Sequence, residues 1–142
     1  MSKALDIADA IATRLNDLNL LAGQKVLVWK QKEIAGEVKA QVERGLGSSM
    51  MLFYEGFEQE GASNGVYPAV TRNYVLRILS RPVLQPGKPT ADELLESAVL
   101  SLHQWDPAEA AGISEIIVPK GTMIEDDDNL IYDLTLTVKS KL

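Results

Sequence analysis

The chain has 142 residues, 46% hydrophobic and 24% charged, which is an ordinary composition for a single globular domain over residues 1–142. Its formal net charge of −6 argues against nucleic acid as the main partner and against an anionic membrane surface, because both attract clustered lysine and arginine. The absence of cysteine excludes disulfides, thiol nucleophiles and cysteine-based zinc sites.

The N-terminal part is predicted to fold as helix, strand, helix and strand. Apolar residues recur at helical spacing in Lys3–Asp17, which predicts an amphipathic helix. Residues 24–32 (QKVLVWKQK) are typical of a short strand. Residues 32–47 return to helical spacing, with apolar positions four apart, and Gly47 is a plausible stop. Residues 48–60 (SSMMLFYEGFEQE) predict a second strand.

The C-terminal part is predicted to fold as strand, helix, strand and strand. Residues 69–83 (AVTRNYVLRILSRPV) form the third strand, and the helix begins at the capping box of residues 90–93, with its apolar side reaching Trp105. Residues 113–119 (ISEIIVP) predict a short strand. In residues 129–140 apolar and polar side chains alternate, which predicts a last strand with one apolar face.

This order predicts an α+β fold with one mixed, largely antiparallel sheet and helices packed mainly on one face. The element order is α-β-α-β-β-α-β-β. A ferredoxin-like βαββαβ core is a variant of the same prediction.

Four consecutive carboxylates, Glu125, Asp126, Asp127 and Asp128, precede the last strand. A calcium loop would place its ligands at alternate positions, with a glycine at the turn and a distant glutamate, and that spacing is absent here. Consecutive side chains of an extended chain also point apart. We therefore interpret these four residues, the acidic quartet, as a solvated turn, with a metal site as the alternative.

The sequence offers little catalytic chemistry. His103 is the only histidine, and Ser101 lies two positions away, on another side of the predicted helix. A surface or half-buried histidine is the simpler interpretation. We predict no catalytic residue, no metal ligand and no cofactor.

Several residues are candidates for an assembly interface. Arg72 and Arg77 are five apart on the third strand and are predicted to lie on opposite faces, and Arg81 follows closely. These arginines are possible partners of the acidic quartet of a neighbouring subunit, although arginine is common on surfaces. Trp29 is either an interface anchor or part of the core, whereas Trp105 is predicted to be core.

The element order and three segments resemble bacteriophage tail terminator and tail-completion proteins. These segments are ALDIADAIATRLN near the N-terminus, YPAVTRNYVLRILSRP in the middle and NLIYDLTLTVKS near the end. The resemblance covers nearly the whole chain and includes no catalytic motif. It implies a small, non-enzymatic α+β protein of the virion tail, assembled in the cytoplasm of a bacterial host.

The resemblance further implies a homo-oligomeric ring, commonly a hexamer, that stops growth of the tail tube and joins it to the head connector. The expected partners are other copies of the chain, the tail-tube protein and the head–tail connector proteins. Such a ring needs a heterologous interface that closes on rotation. Exposed strand edges offer one way to build it.

Two alternatives remain open. One is a small enzyme on a ferredoxin-like sheet, in which Glu55, Glu58 and Asp133 supply acid–base chemistry. The other is an adaptor that binds a protein or peptide by adding a strand to its sheet.

Overall fold

The computed structural model describes residues 3–21, 25–28, 48–59, 69–80, 91–107, 116–126 and 129–141. Within these ranges the chain forms two helices and five strands in one sheet. In chain order they are α1 (Lys3–Asn16), β1 (Leu27–Val28), β2 (Ser48–Gln59), β3 (Ala69–Ser80), α2 (Ala91–Leu102), β4 (Ile117–Asp126) and β5 (Asn129–Lys141).

Helix α1 forms as its apolar spacing predicts. Its buried residues recur every three or four positions, and they are Ala4, Ile7, Ala8, Ile11, Ala12 and Leu15. Helix α1 ends at Asn16, and the turn that follows contains Asn19 with a positive φ of 51°, a conformation that asparagine tolerates better than most residues. The Asn16 side chain then accepts a hydrogen bond from the Val26 N–H (2.8 Å), which ties the end of α1 to the start of β1.

The strands are arranged in the order β1-β2-β3-β5-β4. Strands β1 and β2 pair in parallel, and the other neighbours are antiparallel, so the predicted mixed, largely antiparallel sheet is confirmed. The ferredoxin-like variant is a split βαβ unit, in which another strand separates the parallel pair. Because β1 and β2 pair directly, this variant does not describe the sheet.

Both described helices cover the same face of the sheet. The even-numbered residues of β3 from Val70 to Ser80 are buried on this face, and the odd-numbered residues on the opposite, open face are half-buried. The Tyr74 hydroxyl donates a hydrogen bond to the Ala4 carbonyl (2.7 Å), which joins β3 to the first turn of α1. The core lies between this face and the helices, and it includes Leu76, Leu94 and Leu134.

A bulge divides strand β2. The register with β3 shifts between Tyr54 and Gly56, so Glu55 has no single opposite residue. Gly56 has a φ of 119°, a conformation that is unfavourable for a residue with a side chain.

The structure corrects the boundaries of two predicted elements. The predicted strand at residues 113–119 begins instead at Ile117 and continues through Gly121 to Asp126. Helix α2 ends at Leu102, before Trp105, and Gln104 has a φ of 63°. The first strand is described only at Leu27–Val28, and the helix predicted for residues 32–47 lies outside the described residues.

Candidate assembly surface

Arg72 and Arg77 extend to opposite faces of β3, as their spacing predicts. Arg72 lies on the helix-covered face and is only 6% exposed. Its Nε donates to the Ser140 hydroxyl (2.7 Å) and its Nη1 donates to the Tyr54 hydroxyl (2.8 Å). These two bonds satisfy part of the hydrogen-bonding capacity of the guanidinium within the fold. Arg72 is therefore largely withdrawn from contact with a partner, and its role in an interface stays a prediction.

Arg77 lies on the open face and forms a two-pronged ion pair with Asp133 of β5. Its Nε is 2.8 Å from Oδ1, and its Nη2 is 2.9 Å from Oδ2. The hydrogen bond to Asp133 raises the pKa of Arg77 above its ordinary value, which further stabilises the charged form that arginine has in proteins. The guanidinium also lies 5.7 Å from the ring centre of Phe53.

A shallow cavity of about 500 Å³ surrounds this ion pair on the open face. It is lined by Phe53, Tyr54, Glu55, Val75, Arg77 and Asp133. Of the three carboxylates of the enzyme alternative, Glu55 and Asp133 reach this cavity, whereas Glu58 pairs with Thr71 further along β2. Asp133 is already bound to Arg77, so the cavity does not present a pair of free carboxylates for acid–base chemistry.

The acidic quartet lies at the junction of β4 and β5. Glu125 and Asp126 end β4 and pair with Leu130 and Asn129, so this half of the quartet belongs to a strand and not to the predicted turn. Asp127 and Asp128 lie outside the described residues. Among the residues that the structure describes, no group of three or more histidines and carboxylates is placed to hold a metal ion.

The remaining candidates are placed as follows. Trp29 and Arg81 lie outside the described residues. Trp105 is half-buried against the core, as predicted, and the Arg14 guanidinium lies 4.7 Å from its ring centre. His103 is exposed, in agreement with the surface interpretation, and its Nδ1 accepts a hydrogen bond from the Val118 N–H (3.1 Å).

Comparison with solved structures shows what the fold is similar to. No family model matches the chain, and no curated protein matches it. A solved chain from the "Virion of native gene transfer agent (GTA) particle" superposes with a TM-score of 0.59 at 14% sequence identity. The similarity covers 93% of this chain and 92% of that chain. The two chains therefore share a fold over nearly their whole lengths.

Sequence reasoning missed the exposed apolar residues of β4. Ile117, Met123 and Ile124 are all at least two-fifths exposed. The proline, glycine and carboxylates of this region resemble turn signals, and the adjacent apolar residues Met123 and Ile124 do not alternate with polar ones, so the sequence does not indicate a strand here. Neither described helix is both long enough and apolar enough to span a membrane.

Proposed function

We propose that this chain is a structural protein of a phage-like virion that acts as a tail terminator. In this role, copies of the chain form a ring, commonly of six, at the end of the tail tube next to the head. The ring stops the addition of tube subunits and provides the surface to which the head connector binds.

The observation that carries this proposal is the fold similarity to a chain of the gene transfer agent virion. The similarity extends over more than nine-tenths of both chains, so it concerns the whole fold and not a shared fragment. The resemblance of the N-terminal, middle and C-terminal segments to tail terminator proteins supports the finer role.

The geometry of the described residues is compatible with a structural role, in which the protein acts through its shape and its contacts. On the open face Asp133 is ion-paired with Arg77, and on the other face Arg72 is buried and hydrogen-bonded to Ser140. Phe57, Leu100 and Met123 are more than half exposed, as residues that become covered in an assembly would be.

The ring itself requires a heterologous contact, in which two different surfaces of the chain meet. The acidic quartet and the predicted interface residues Trp29, Arg77 and Arg81 are our candidates for that contact, whereas Arg72, as a buried residue, would act only by supporting the strand that carries Arg77. Opposite charges on the two surfaces would fix the rotational register of neighbouring subunits more than they would add affinity.

Tail-tube assembly provides the test. Purified tail-tube protein from the same phage-like genome is polymerised with and without this chain, and tube lengths are measured by electron microscopy. We expect the chain to shorten the tubes at a few copies per tube and to appear as a ring at one end.

A matched variant makes the result specific. It replaces each carboxylate of the acidic quartet by its amide, with the substitutions Glu125→Gln, Asp126→Asn, Asp127→Asn and Asp128→Asn. This removes four charges with little change in size, and we expect weaker capping with unchanged melting temperature. Tubes of equal length with and without the natural chain, together with no binding to the tube protein, would refute the proposed role.

A further inference from the structure

Strand β4 is the outer strand at one end of the sheet. Within the described residues it pairs with β5 alone, so its second edge presents backbone N–H and C=O groups to the surroundings. Residues 119–124 are all exposed, which shows that little of the molecule covers this edge. Natural proteins usually protect such an edge, because it can pair with another strand.

The backbone irregularities that protect β4 are confined to its first half. The register with β5 shifts between Ile117 and Lys120, and Pro119, which lacks an N–H, lies within that irregular stretch. From Lys120 to Asp126 each residue pairs in turn with one residue of β5, from Thr135 to Asn129. A regular ladder of seven residues is therefore left with one open edge.

The middle of this ladder is apolar on both faces of the sheet. Met123 is opposite Tyr132 on the helix-covered face and is 53% exposed. Ile124 is opposite Ile131 on the open face and is 41% exposed. A strand added to this edge would cover both side chains, and burial of apolar surface would then add to the new backbone hydrogen bonds.

The order of the charged residues along the ladder determines which strand is complementary to it and in which direction that strand runs. The seven residues are Lys-Gly-Thr-Met-Ile-Glu-Asp, basic at the first position and acidic at the last two. An antiparallel copy of the same strand brings each basic end beside the acidic end of the other, whereas a parallel copy aligns like charges. The stretch is thus complementary to itself in the antiparallel direction only.

We infer that the β4 edge binds the β4 edge of a second copy of this chain, antiparallel, about a two-fold axis at Met123. In this arrangement position 120 of one copy lies opposite position 126 of the other, and the two sheets become continuous. The inference goes beyond the proposed function, because a two-fold contact joins two copies and cannot by itself close a ring.

Charge variants at the axis test the contact. Met123→Lys and Met123→Asp each place two like charges together at the two-fold axis, and their exposed position makes both tolerable to the monomer. Light scattering coupled to size-exclusion chromatography is expected to show a concentration-dependent dimer for the natural chain and a monomer for each variant. A one-to-one mixture of the variants is expected to restore the dimer.

Leu100→Lys is the matched control. Leu100 is the most exposed large apolar residue of the described chain, at 85%, and it lies on the solvent side of α2, outside strand β4. We expect this variant to dimerise like the natural chain. Melting temperatures of all three variants check that the fold is retained.

Crosslinking tests the register. Because the chain has no cysteine, Met123→Cys introduces a single thiol per copy, and the axis brings the two thiols within disulfide range. We expect rapid oxidation to a covalent dimer for Met123→Cys and none for Leu100→Cys.

Three results would overturn the inference. The first is a natural chain that stays monomeric at high concentration, and the second is a Met123→Lys variant that dimerises normally. The third is an assembly larger than a dimer that Met123→Lys abolishes. The last result would assign the edge to a heterologous contact. If the natural chain forms the dimer but does not shorten the tubes or bind the tube protein, the proposed function is refuted and this inference still holds.

Discussion

At the scale of single residues, Tyr74 connects the sheet to α1 through one buried hydroxyl. The side chain is fully buried, and its hydroxyl donates to the Ala4 carbonyl. Burial raises the pKa of Tyr74 well above its ordinary value near 10, and the nearby positive charge of Arg72 only partly opposes this. The phenol is thus held neutral in the folded state.

This pKa shift predicts a loss of stability in alkali. A group whose pKa is raised by folding stabilises the protein fully below its unfolded pKa, and this contribution decreases as pH rises above about 10. We expect the free energy of unfolding to fall with pH in that range by about 1.4 kcal/mol per pH unit more in the natural chain than in Tyr74→Phe.

Urea unfolding at several pH values measures this difference. Near pH 7 the Tyr74→Phe variant should be less stable by about 1 kcal/mol, because the Ala4 carbonyl loses a buried hydrogen bond. Equal alkaline slopes in the two proteins would show that Tyr74 ionises in the folded state, contrary to its burial.

At the scale of secondary-structure elements, α2 shows how one helix separates a core face from a solvent face. Leu94, Ala98 and Leu102 recur every four residues and are fully buried. Leu100, of the same residue type and only two positions from Leu102, is almost fully exposed. The 3.6-residue period places positions two apart on different sides of a helix.

This pair gives a prediction with an internal control. Leu102→Ala removes a buried side chain and leaves a cavity, so it should reduce the free energy of unfolding by about 2–5 kcal/mol. Leu100→Ala should change it by no more than about 0.5 kcal/mol. Urea unfolding of both variants checks the contrast, and similar losses would mean that α2 packs with a different face inward.

Periodicity predicted those elements whose burial follows one regular pattern. Helix α1 and strands β3 and β5 were found within a few residues of their observed limits, because one face of each packs on the core. The extent of strand β4 differs from the prediction because Pro119, Gly121 and the carboxylates resemble a turn. These residues nevertheless form a strand because they pair with β5. No local pattern encodes that pairing.

The candidate surface was less predictable for the same reason. The spacing of Arg72 and Arg77 fixed their opposite faces, but their partners, Ser140 and Asp133, are 68 and 56 residues away along the chain. Such partners depend on which strands become neighbours and in which register. A single sequence shows neither.

At the scale of the whole molecule, the described helices and strands share one core. Residues of α1, α2 and all five strands or their flanking residues belong to a single cluster of apolar contacts. Domains of this size with one core usually unfold in one cooperative step. We therefore predict coincident unfolding curves from far-ultraviolet circular dichroism and tryptophan fluorescence, and two separate transitions would contradict the assignment of one domain to residues 1–142.

The position of β5 has a consequence for biosynthesis. Although β5 follows every other described element along the chain, it lies between β3 and β4, and every residue of β3 from Ala69 to Ser80 pairs with it. A ribosome-bound chain can form the β2–β3 hairpin early, but β4 has no place in the sheet until residues 129–141 have emerged. The nascent protein therefore leaves this edge of β3 unpaired from the time that residues 69–80 have emerged until residues 129–141 follow, and the sheet can be completed only then.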